Sequence, residues 1–137
     1  MRRIAVIAAL TASLAIAGED GVRVVEDAGR WESGYGVDFY NVVGKLEITD
    51  GTARKWVKLR IDAKNEGGAV IATEHAYNET AEALSAPGAD AAALIASGKV
   101  VPIAAGATQR FRTSFLKDEH PTITSHAVTV VEAPATD

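Results

Sequence analysis

The chain has 137 residues, enough for one domain and short for two. Its formal net charge of −4 argues against a nucleic-acid binder, whose mark is a basic patch or stripe. It contains no cysteine, which excludes disulfides, thiolate metal sites and cysteine nucleophiles.

Arg2-Arg3 precede a run from Ile4 to Ala17 that is apolar except for Thr11 and Ser13, and Ala15-Ile16-Ala17 supplies a small-x-small cleavage pattern. Charge, apolar run and cleavage site in that order read as a secretory signal peptide over residues 1–17, leaving 18–137 as a single domain. As a helix the apolar run reaches only about 21 Å, short of the roughly 30 Å hydrocarbon core of a bilayer. The expectation is therefore an exported protein, periplasmic or extracellular, with no stable membrane span after cleavage. An exported chain without cysteine must be stabilised by a packed core alone.

From Val22 onward the apolar pattern becomes alternation. Val22 to Glu26 reads as a short edge strand. Trp31 to Tyr40 (WESGYGVDFY) follows as a Gly-rich turn holding half of the chain's aromatic residues. Val42, Gly44, Leu46 and Ile48 form an inward row, with Lys45 and Glu47 pointing out. After the turn signal Asp50-Gly51, Val57, Leu59, Ile61 and Ala63 alternate with Trp56, Lys58, Arg60 and Asp62. That is a half-buried antiparallel strand with one charged face. Asn65 to Gly68 turns the chain into a strand over Ala69 to Tyr77.

The stretch 79–98 breaks this rhythm. Glu79 to Ser85 has helical composition, Pro87-Gly88 interrupts it, and Asp90 is placed to cap a second short helix ending before Gly98. These two pieces are a helical insertion before the last strands, suited to covering an open end of a sandwich. Thr108 to Phe115 sets Arg110 and Arg112 against Phe111 and Phe115. Thr124 to Glu132 is the last strand, where a bulge would reconcile Val128 and Val130 with the opposite parity of Ile123 and Val131. Residues 133–137 read as a frayed tail. Turn signals at intervals of about 8–12 residues point to an all-β antiparallel sandwich, with a small barrel as the alternative.

The runs Tyr40 to Leu46, Lys55 to Asp62 (KWVKLRID), Gly68 to Thr73 (GAVIAT) and Val101 to Phe111 (VPIAAGATQRF) together resemble an FxLYD-type domain of the bacterial cell envelope. The resemblance covers roughly residues 40–131. Leu59-Arg60-Ile61-Asp62 stands where that family ends its strand in L-Y-D, so its Tyr is replaced, and Pro102 and Gly106 spread its Pro-Gly turn. The resemblance implies an Ig-like sandwich and an envelope location, and it carries no catalytic residues.

The chemistry-bearing residues are few. His75, His120 and His126 could, with a carboxylate, make a small periplasmic metal site. No two of them show a tight ligand spacing, and the alternative places His126 inward beside Val128 as a satisfied core residue. Neither a Gly-x-Ser-x-Gly elbow nor a Ser-x-x-Lys motif is present. Trp31 and Tyr35, with Trp56 on its charged strand face, could offer rigid amphipathic contact area to a sugar or peptide. The competing reading makes the aromatics of residues 31–40 a plug for the sandwich end. Together these features predict a non-enzymatic envelope module without a cofactor, binding protein or polysaccharide or supporting an assembly. The alternative is a metal-binding protein using the three histidines.

Overall fold

Alternation places six strands close to where the sequence expects them. The computed structural model describes residues 21–136, so the segment read as a signal peptide lies outside the described residues. The strands are β1 (Val22–Gly34), β2 (Val37–Ile48), β3 (Lys58–Lys64), β4 (Val70–Tyr77), β5 (Thr108–Leu116) and β6 (Ser125–Glu132). They form two antiparallel sheets of three, in the orders β1-β2-β5 and β4-β3-β6. This is an all-β sandwich with a helical insertion, not a closed barrel.

The core is the sum of the inward rows. Tyr40, Val42, Leu46 and Ile48 of β2 meet Leu59, Ile61 and Ala63 of β3 across the interior. Val128 and Val130 of β6 and Phe111 and Phe115 of β5 complete it. Each fully buried aliphatic side chain contributes about 1.5–3 kcal/mol relative to leaving it in water. The expected bulge in the last strand is present. Lys58 pairs with Glu132 and Leu59 with Val130, so Val131 is the extra residue and turns outward. Ile123 is buried from the loop before β6 and does not share its phase.

Three segments differ from the sequence reading. The first strand runs to Gly34, and residues 31–40 are not a loop. They are the distal half of a long hairpin closed by the two-residue turn Tyr35-Gly36, with φ of 53° and 78°. Two consecutive positive φ values suit a hairpin whose turn twist matches its strands. Gly36 adopts its value freely, whereas a Tyr at a left-handed position is unusual. Second, Trp56 precedes β3, which starts at Lys58. Third, the C-terminal tail is docked. Lys55 N donates to Pro134 O at 2.7 Å and Thr136 N to Ala53 O at 3.1 Å, while Ala133 is buried.

The docked tail has a charged anchor. Arg54 is buried in the connection between β2 and β3, and its backbone bridges both Ile103 and Ala135. Its Nη1 donates to Ala133 O at 2.7 Å and its Nη2 to Asp50 Oδ2 at 2.5 Å. The guanidinium thus ties the turn at Asp50 to the end of the chain, with charge-assisted bonds that offset its burial.

The insertion comprises a 3₁₀ segment (Glu79–Ser85) and a one-and-a-half-turn helix, α1 (Ala91–Ala96). Asp90 caps α1 as expected, its side chain accepting from Ala93 N. A polar knot at Asn78 pins the 3₁₀ segment. The fully buried Asn78 accepts from Val57 N at 2.8 Å, and its Nδ2 donates to Thr80 Oγ1 and Gln109 Oε1, both at 3.0 Å. The 3₁₀ segment consequently packs against β4 and β5, with Ala81 buried and Glu79 and Glu82 exposed beside the outer face of the β1-β2-β5 sheet.

Candidate functional site

Strand register decides which side chains share a surface. Across the β1-β2-β5 sheet, Tyr40 pairs with Trp31 on one side and Phe115 on the other, as Gly44 pairs with Asp27 and Phe111, and these rows lie on the core side. The intervening rows face out: Glu26-Lys45-Arg110, Ala28-Val43-Arg112, Arg30-Asn41-Ser114 and Glu32-Phe39-Leu116. The 3₁₀ segment overhangs one side of this outer face and makes it a groove.

The groove has two continuous parts that share Glu82 and Arg112. One is lined by Glu26, Val43, Lys45, Glu79 and Arg110. The other is lined by Glu32, Phe39, Asn41, His75, Tyr77 and Ser114 among others. The floor of the second part is ordered by its own hydrogen bonds. Ser114 Oγ donates to Asn41 Oδ1 at 3.0 Å, Asn41 Nδ2 donates to Glu32 Oε1 at 3.1 Å, and Arg30 Nε donates to Glu32 Oε2 at 2.6 Å. The Arg30 bond, helped by Asn41, holds the Glu32 carboxyl below the usual carboxylate range. By contrast, Lys45, Arg110 and Arg112 make no ion pair within 4 Å among the described residues. Lys45 and Arg110 are directly opposite on adjacent strands, a like-charge pairing that costs stability. Two guanidinium groups therefore present free donors over an ordered polar floor.

A second polar constellation lies inside the sandwich. His126 of β6 faces Asp27 of β1 and Tyr40 of β2, so the link crosses between the sheets. His126 Nε2 lies 2.6 Å from Asp27 Oδ1, and Nδ1 lies 3.1 Å from Tyr40 Oη. In the tautomer that carries its proton on Nε2, His126 donates to Asp27 and its Nδ1 accepts from the Tyr40 hydroxyl. All three residues are at most 5% exposed. Burial, with the Asp27 charge adding to it, pushes the Tyr40 hydroxyl up to about 12, so it stays protonated and donating. The order carboxyl–imidazole–hydroxyl has the form of a proton relay, but its hydroxyl end is closed from solvent. Its role in this geometry is to join the two sheets.

The aromatic residues singled out by sequence take separate roles. Trp31 donates from Nε1 to Ile123 O at 3.1 Å and packs edge-on against Tyr40 at 5.5 Å, while 37% of its surface stays exposed. Tyr35 sits at the hairpin tip with its side chain wholly in solvent. Trp56 donates to Glu132 Oε1 at 3.2 Å beside β6. They do not form one platform.

Nor are the histidines brought together. His75 pairs with Arg60 on the outward face of the β4-β3-β6 sheet, whereas His126 pairs with Ala63 on its inward face. His120 lies in the loop after β5, edge-on to Phe115 at 6.3 Å. Among the described residues no three His, Asp or Glu side chains are grouped to hold a metal ion, and no helix is long and apolar enough to cross a membrane.

Alternation alone puts Arg110 and Arg112 on one face, whereas Asn41, Ser114 and Glu82 join them only through the fold. The signal was the outward parity of Lys45 and of both arginines. What was missing was the pairing of β2 with β5. Comparison of the chain with family models, curated proteins and solved structures finds no match.

Proposed function

We propose that the protein is an exported, non-enzymatic module of the cell envelope that binds a polysaccharide or protein through the outer face of its β1-β2-β5 sheet. The observation that carries this reading is the groove itself: a hydrogen-bonded polar floor, two guanidinium groups without an ion pair among the described residues, and a wall supplied by the helical insertion. Export is supported by Arg2-Arg3, the apolar run and Ala15-Ile16-Ala17. The envelope location rests on the FxLYD-type resemblance. The groove's histidine, His75, makes no hydrogen bond to a hydroxyl or carboxylate among the described residues. That supports binding over hydrolysis, which needs a positioned base and nucleophile.

The test is a pair of variants applied to an immobilised envelope fraction. Arg110→Ala/Arg112→Ala should lose retention while keeping the melting temperature, because both side chains are exposed. Trp31→Ala should lose about 1–3 kcal/mol of stability through its packing and its bond to Ile123, yet keep retention at temperatures where it is folded. The reverse pattern would place the binding surface at the aromatic end of the hairpin and reject the groove.

A further inference from the structure

Resting on that reading, we infer that the groove takes an uncharged, hydroxyl-rich chain: a segment of neutral polysaccharide. Lys45, Arg110 and Arg112 are matched by Glu26, Glu79 and Glu82 on the same lining. A polyanion seated there would meet three carboxylates, and a polycation three cationic groups. A neutral chain meets neither penalty.

Both flanks of β2 are already used in pairing with β1 and β5, so a chain lying over β2 meets side chains and not a backbone ladder. Sugar hydroxyls both donate and accept. They can answer the free donors of Arg110 and Arg112, the remaining lone pairs of Ser114 Oγ and the exposed carboxylates. The Ser114-Asn41-Glu32-Arg30 chain joins these side chains without a ligand, and partners that are already arranged lower the ordering cost of binding.

The rings of Phe39 and Tyr77 border the far part of the groove, and aromatic faces pack against the C–H faces of sugar rings while leaving hydroxyls free to bond. From the Lys45 row to the Phe39 row the face measures about 20 Å, the length of a short oligosaccharide.

The experiment is a titration of the ¹⁵N-labelled protein, followed by backbone amide shifts. The probes are cellohexaose, maltohexaose and chitohexaose, with hexaglutamate and hexalysine as charged comparators. At least one neutral hexasaccharide should shift the amides of Asn41, Val43, Arg112 and Ser114. Its affinity should be nearly the same at about 50 and about 300 mM salt, since no net charge is neutralised. Arg112→Ala and Ser114→Ala should each weaken it by roughly tenfold with melting temperature unchanged. If only a charged peptide shifts these amides, with a steep salt dependence, the groove is a site but the ligand class is wrong. If none of the five does, both the ligand class and the binding role of the groove are rejected.

Discussion

Gly29 shows how one residue position can be set by a polar network. A Cβ there would stand 2.7 Å from His126 Nδ1 and closer still to Tyr40 Oη. Gly29→Ala should therefore cost about 1–3 kcal/mol in urea denaturation by forcing the network apart. The network itself is a buried polar link whose parts are costly singly. His126→Leu leaves the Asp27 carboxyl buried without its partner, a loss of about 3 kcal/mol or more. Asp27→Leu in the same chain should restore part of it, because the buried carboxyl is then gone and only the Tyr40 hydroxyl is left without its partner. Equal stabilities of the single and double variants would show that the two residues are not coupled. Tyr40 adds a pH dependence with a definite sign. Its folded value of about 12 lies above the ordinary 10.0, so its contribution is complete below pH 10.0 and disappears as pH rises towards 12. Wild-type should lose about 2–3 kcal/mol across that window relative to Tyr40→Phe, read from urea midpoints at each pH.

At the scale of elements, legibility followed the clarity of alternation. β3 is readable because Leu59, Ile61 and Ala63 alternate with charged residues, and α1 because Asp90 caps it and Gly98 follows it. The distal hairpin was not readable, because Tyr35 occupies a turn position where Asn, Asp or Gly is usual. The tail was not readable either. Its docking depends on Arg54, whose partners Asp50 and Ala133 come from opposite sides in sequence. Two expectations follow. Asn78→Ala removes the acceptor of Val57 N and both bonds to Thr80 and Gln109, and should cost about 1–3 kcal/mol. It should also raise hydrogen exchange in the 3₁₀ segment more than in β3. Deleting residues 133–137 takes one acceptor from buried Arg54 and exposes the core beside Ala133, so it should lower the urea midpoint, whereas a frayed tail would leave it unmoved.

For the whole molecule, the sandwich was legible and the surface it presents was not. Inward residues announce themselves through apolar alternation, but outward residues are gathered by strand pairing. Ser114 and Asn41, which bond on the groove floor, are 73 residues apart. Their neighbours in sequence say nothing of this pairing. The insertion was legible as helix, yet its Glu82 reaches the groove only because Asn78 fixes where the 3₁₀ segment lies. The most direct measurement is photo-crosslinking in the producing cell, with a crosslinking residue at position 114 in the groove or at 129 on the outward face of β6 in the other sheet. Adducts at 114 and none at 129 are the expected result. Adducts at 129 alone, or at neither position, would contradict a binding role for the outer face of the β1-β2-β5 sheet.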